Sequence, residues 1–140
     1  MRWATLVLLT LLGCNDLRDF RGAWTGSRVG DTPALRVGAG DIADLAIDGI
    51  DAHGLTARLT IDNLLPETQF TSLEGAEADV LGNLTFSGGP LRVYLGFISV
   101  PDLGGEALVI VALYDDRRIE VRVLRGGAQP LYAIYVLKEA

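Results

Sequence analysis

The chain has 140 residues, of which 49% are hydrophobic and 21% charged, and its formal net charge is -6. That length suits one domain with a respectable core and excludes two, while the acidic balance excludes a nucleic-acid binder, since phosphate would be repelled. A single cysteine excludes any internal disulfide, so the fold must stand on its core alone.

Residues 1–13 read as an export signal. Arg2 supplies a basic start, and Ala4 to Leu12 form an apolar run broken only by Thr5 and Thr10. A spanning helix needs about 20 apolar residues; a basic start, a short apolar core and a small residue at the cut are instead the design of a secretory signal. The four residues Leu11-Leu12-Gly13-Cys14 resemble the lipobox of bacterial lipoproteins. The resemblance implies cleavage between Gly13 and Cys14, a diacylglyceryl group on the Cys14 thiol, and acylation of the new amine by a fatty acid such as palmitate. Two other readings stay open: an N-terminal strand ending in a buried Cys14, against which the missing alternation speaks, and a plain signal peptide that leaves the thiol bare. Each buried methylene contributes ~0.8 kcal/mol and one chain binds only marginally, so durable attachment takes more than one.

The resemblance therefore makes the membrane a partner through lipidated Cys14 and the cell envelope the address. Asn15 follows the cysteine, and the aspartate that favours inner-membrane retention in enterobacterial lipoproteins stands one place later, at Asp16. The outer membrane, facing the periplasm, is the expected site. Removal of the signal leaves about 127 residues and takes the formal charge from -6 to -7, because Arg2 is lost.

Residues 14–20 are polar enough to serve as a short tether, and 21–140 read as one all-β domain. From Arg21 onward the chain shows period-two alternation in short runs separated by Gly, Pro, Asn or Asp, which points to an antiparallel sandwich or barrel. Leu55, Ala57, Leu59 and Ile61 alternate with Thr56, Arg58, Thr60 and Asp62, so this strand should pack one face on a core and wet the other. Its expected hairpin partner is Ile42 to Asp48, through the turn Gly49 to Gly54. Thr68 to Ser87 is ambiguous between a helical turn and a strand; Gly75 and Gly82 would each cost a helix about 1 kcal/mol, which favours strand. Arg92 to Ser99 is apolar on both faces. Glu106 to Tyr114 and the alternating Ile119, Val121 and Val123 should form a hairpin about Asp115-Asp116, with Glu120 and Arg122 on its wet face. Leu131 to Leu137 is again apolar on both faces, and its place near the C-terminus suits a sheet that closes on its first strand.

Gly22-Ala23-Trp24 opens the domain, and a Gly-X-Trp at the first strand is similar to the start of lipocalins and avidin-type barrels. The resemblance implies an up-and-down barrel of about eight to ten strands, closed or nearly so, with Trp24 plugging one end; a β-sandwich is the alternative. Lipocalins place an arginine beyond their last barrel strand to cover that Trp, whereas here Arg125 follows the penultimate strand. Barrels of about eight strands hold side chains or one small ligand. The expected cavity lining is Trp24, Leu55, Leu59, Ile61, Val93, Leu95 and Phe97, with a small apolar ligand or an envelope protein as partner.

Catalytic chemistry finds no constellation. His53 is the only histidine and sits in a turn, whereas metal sites and acid-base pairs usually need His or Cys in company. No Gly-X-Ser-X-Gly elbow is present. The acids Asp41, Asp44, Asp48 and Asp51 do not bring together the sixth-place Gly and twelfth-place Glu of an EF-hand loop, and read as a wet strand edge. Gly88-Gly89-Pro90 and Gly126-Gly127 read as hairpin connections, with no helix start behind them to bind phosphate. Asp115-Asp116-Arg117-Arg118 reads as a solvated turn whose ion pairs each contribute under ~1 kcal/mol. The expectation is a binding or accessory protein that is not an enzyme and carries no metal or cofactor.

Overall fold

The alternating runs fold into an antiparallel meander. The computed structural model describes residues 16–29, 38–72, 75–76, 89–100, 105–126 and 130–140. Its strands are β1 (Gly22–Val29), β2 (Ile42–Ile50), β3 (Leu55–Ile61), β4 (Leu65–Ser72), β5 (Gly75–Ala76), β6 (Arg92–Val100), β7 (Gly105–Leu113), β8 (Ile119–Arg125) and β9 (Leu131–Glu139). They form one 9-stranded sheet in the order β4-β3-β2-β1-β9-β8-β7-β6-β5. Every strand thus pairs with its sequence neighbour except at one place, and the first and last strands are zipped together: Gly26 faces Leu137 and Arg28 faces Tyr135. The remaining gap lies mid-chain, where β4 comes alongside β6. The result is the expected up-and-down, nearly closed barrel.

Both expected hairpins are present. Leu45 pairs with Leu59 across β2 and β3, and Val111 with Val121 across β7 and β8. The β2–β3 turn is tied by Asp51, whose carboxylate accepts the backbone N–H groups of His53 at 2.7 Å and Gly54 at 2.8 Å. Those two bonds to the charged form hold its carboxyl below the usual value. The β7–β8 turn places Arg117 at φ 57. Of the ambiguous stretch, Thr68 to Ser72 belongs to β4 and Gly75–Ala76 is strand; the remainder, 73–74 and 77–87, lies outside the described residues, as do Gly13 and Cys14.

One row of each strand points inward, giving a single cluster that includes Trp24, Leu45, Leu59, Tyr94, Val111, Val121 and Tyr135. Trp24 is 1% exposed. Its indole N–H donates to the Phe20 carbonyl at 2.9 Å, and its ring stacks on Phe20 at 5.7 Å between centroids. Residues 17–20 were expected to extend the tether, but form a 3-10 turn that caps this end of the barrel. The cause is Phe20: an aromatic beside a buried Trp is worth more packed than wet. The guanidinium over Trp24 belongs to Arg117, 5.9 Å from the ring centroid, and not to Arg125, which lies at the far end of β8 beside Gly105. The opposite end is bounded, among the described residues, by the end of β1, the start of β2 and the end of β8.

Two sequence expectations fail on the sheet's outer surface. On β6 the inward row is Tyr94, Ile98 and Val100, so Val93, Leu95 and Phe97 face outward. A register slip of one residue exchanges the faces of a strand, and here both rows are apolar, so periodicity holds no information about which one is inside. On β8, Glu120 and Arg122 occupy the outer face as expected but are buried, at 1% and 4% exposure.

Candidate functional site

Three regions of the barrel hold chemistry. The first is the interior. The expected lining residues Trp24, Leu55, Leu59 and Ile61 are all inward, and none is more than 1% exposed; Tyr94, Tyr135 and Leu137 are at 0%. A side chain bordering an empty space large enough for water would be accessible to it. These rows therefore pack against one another as a protein core.

The two inward tyrosines tie the barrel at opposite ends. Tyr94 donates to the Asp51 carbonyl at 2.7 Å, pinning β6 to the β2–β3 turn across the gap in the sheet. Tyr135 donates to the Gly40 carbonyl at 2.8 Å, holding the segment before β2 at the end opposite the cap. Burial pushes the Tyr135 hydroxyl up to about 12, against the opposing pull of the nearby Arg28 charge.

The second region is the end opposite the Trp24 cap. Arg28 follows Trp24 and Gly26 on the inward row of β1, and Arg125 ends the inward row of β8, paired with Leu131. Arg28 makes an ion pair with Asp41 at 3.2 Å, yet its Nε is buried without a hydrogen-bond partner; Nη1 of Arg125 is in the same condition. Buried N–H groups of this kind are uncommon and costly. Neither arginine was singled out from the sequence as inward-facing, although the Trp24-Gly26-Arg28 alternation carries that information for β1.

The third region is the outer face of β6 to β9. Here the register aligns Phe97, Leu108, Leu124 and Tyr132 into one cross-strand row. Phe97 is 69% exposed and Tyr132 42%. One row closer to the capped end, Leu95, Ile110, Arg122 and Ile134 align, and beyond them Val93, Ala112, Glu120 and Val136. Val93, Ile110, Ala112 and Tyr114 form a second buried apolar cluster, separate from the interior. Glu120 and Arg122 sit inside it as a 2.6 Å ion pair, and Arg122 also donates to the Tyr132 hydroxyl at 3.2 Å. The Tyr114 hydroxyl donates to Glu120 at 3.3 Å, and burial, helped by the Glu120 charge, pushes it up to about 12. So a polar network, two residues apart on one strand, is embedded in an apolar sheet face.

The acids grouped in the sequence do not converge. Asp48 takes a bidentate hydrogen bond from Arg58, Asp41 pairs with Arg28, and Asp51 serves its own turn. His53 is exposed beside it. Among the described residues no three His, Cys, Asp or Glu side chains are grouped as metal ligands.

No protein-family model matches the chain, and no curated protein matches its sequence. Among solved structures it is similar to the crystal structure of a mutant of the fluorescent protein UnaG, with 19% identity and a TM-score of 0.41. That similarity covers 89% of this chain and 99% of the other.

Proposed function

We propose that the chain is a lipid-anchored protein of the bacterial cell envelope, exported by residues 1–13 and held at the membrane, by preference the outer one, through acyl chains on Cys14. Its barrel is a binding or accessory module without a catalytic role, and its contact surface for an envelope protein is the row of Phe97, Leu108, Leu124 and Tyr132 on the outer face of β6 to β9. The observation that carries this reading is the contrast between the two faces of these strands. Inward rows are sealed, with Tyr135 and Leu137 at 0% exposure, whereas Phe97 stands 69% exposed in a row with Leu108, Leu124 and Tyr132. Leu108 and Leu124 are half-buried between the two exposed aromatics, and exposed apolar surface that carries aromatic anchors marks interaction sites.

A photo-crosslinking residue placed in living cells at Phe97, Leu95 or Tyr132 should give one adduct of common mass. The same residue at Thr25, on the outer face of β1, should give none, and Phe97→Ser should weaken the adduct formed from position 132. Equal adducts from all four positions, or none from any, would overturn the assignment of the surface.

A second reading is favoured by the end opposite the cap, where Arg28 Nε and Arg125 Nη1 are buried and unpartnered. There the module takes a small anionic or polar-headed molecule. Native mass spectrometry of protein extracted from membranes separates the two: a retained small molecule lost in Arg28→Met supports the second, and a mass equal to the lipidated chain alone supports the first.

A further inference from the structure

We infer that the capped end of the barrel lies against the membrane surface and the opposite end points away from it. The inference rests on the anchor proposed above and follows from how little free chain separates Cys14 from the fold. The Asp16 side chain accepts the Arg18 N–H at 3.0 Å, and its carbonyl accepts the Asp19 N–H at 2.9 Å. Leu17 packs against the core, and Phe20 is stacked on Trp24. Structured chain therefore begins two residues after the cysteine. Two residues span at most about 7 Å when fully extended, less than the diameter of a strand pair with its side chains. A domain on so short a leash cannot tumble, and the end from which Asp16 emerges must face the lipid.

That end is chemically suited to a zwitterionic headgroup layer. It exposes Arg18, Arg21 and Arg117 beside Asp16, Asp19, Asp115, Asp116 and Glu139, so phosphates and ammonium groups both find partners, while the acidic excess disfavours an anionic bilayer. Leu91, whose N–H bonds to Leu113 at this end, is 42% exposed and can reach the interfacial layer. The other exposed large apolar side chains among the described residues, Val29, Ile42, Phe97 and Tyr132, lie toward the half opposite the cap. The anchor thus holds the Phe97 row clear of lipid, where a second protein can meet it.

The mature chain offers its own probe, because Trp3 leaves with the signal and Trp24 is then the only tryptophan. The lipidated protein is reconstituted in phosphatidylcholine vesicles containing dansyl-labelled headgroups, and energy transfer from Trp24 is measured. It is compared with a chain carrying 16 Gly/Ser residues between Asn15 and Asp16, a linker whose root-mean-square reach is about 20–24 Å. Transfer should fall about two-fold or more on insertion, since the linker's reach exceeds the original leash about three-fold. A fluorophore at Asp116→Cys should likewise lie closer to the labelled headgroups than one at Phe97→Cys. Equal transfer with and without the linker, in protein that is lipidated and floats with vesicles, would overturn the orientation alone. Protein recovered without lipid would overturn the anchor and the orientation with it.

Discussion

The seam between β1 and β9 closes the barrel, and Gly26 decides whether it can form. A Cβ placed on Gly26 would lie 1.9 Å from the Val136 carbonyl oxygen, 2.7 Å from its carbon and 2.8 Å from Leu137 Cα. All three are backbone atoms of the partner strand, so no side chain can rotate away to make room. Restoring an ordinary carbon-to-oxygen contact of ~3.4 Å would push the two strands apart by roughly 1.5 Å. A ladder bond that starts near ~2.9 Å is no longer a hydrogen bond after such a shift. Losing the two ladder bonds beside Gly26 costs about 1 kcal/mol each, and overpacking adds about 1–3 kcal/mol. The expected loss for Gly26→Ala is therefore about 3–5 kcal/mol, a large part of the ~5–15 kcal/mol that holds a domain folded. Urea denaturation of a soluble form beginning at Asp16, followed by Trp24 fluorescence, measures it. Gly49→Ala is the control: its nearest neighbour would be Thr56 Cβ at 3.9 Å, and its stability should stay within about 1 kcal/mol of the parent. If Gly26→Ala behaves like Gly49→Ala, the two strands do not approach this closely and the closure of the barrel is misdescribed.

Trp24→Ala removes the plug, its stacking on Phe20 and its bond to the Phe20 carbonyl, and should cost about 3–5 kcal/mol in urea denaturation followed by far-UV circular dichroism, since the variant keeps no tryptophan. Glu120→Ala should cost about 3–5 kcal/mol, because it strips a 2.6 Å partner from the buried Arg122 guanidinium; the companion Glu106→Ala, at an exposed strand start, should change stability by under about 0.5 kcal/mol. Tyr114 and Tyr135 are both pushed up to about 12 from an ordinary 10.0. The unfolded chain loses these protons first as pH rises, so their contribution is fully present below pH 10 and declines between 10 and 12. Stability measured from pH 8 to 11.5 should fall more steeply in the parent than in Tyr135→Phe, and parallel curves would contradict the burial of that hydroxyl.

Much of the meander was legible because several strands are half wet. β3 alternates Leu55, Ala57, Leu59 and Ile61 with polar partners, which fixes both its identity and its inward face. The turn acids Asp51 and Asp115 mark where the hairpins reverse, and the position of β9 announced its pairing with β1. The pattern lost its meaning where both faces are buried. On β6 the rows Val93-Leu95-Phe97 and Tyr94-Ile98-Val100 are equally apolar, and only tertiary packing chooses between them. On β8 the letters Glu120 and Arg122 promised water, but an ion pair two residues apart on one strand face satisfies itself well enough to be buried. Leu17 and Phe20 were hidden among the charges of residues 16–21, so a turn that caps the barrel read as tether. Arg117 was read as part of a solvated charge cluster; its position over Trp24 depends on the turn's φ of 57, which residue letters do not carry.

The central claim is that lipid on Cys14 attaches this barrel to a membrane. Its most direct test is mass spectrometry of the N-terminal peptide from protein isolated out of membranes. The account predicts a chain that begins at Cys14 and carries the mass of a diacylglyceryl group with at least one further acyl chain. A peptide beginning at Met1, or one containing an unmodified Cys14 thiol, would contradict it.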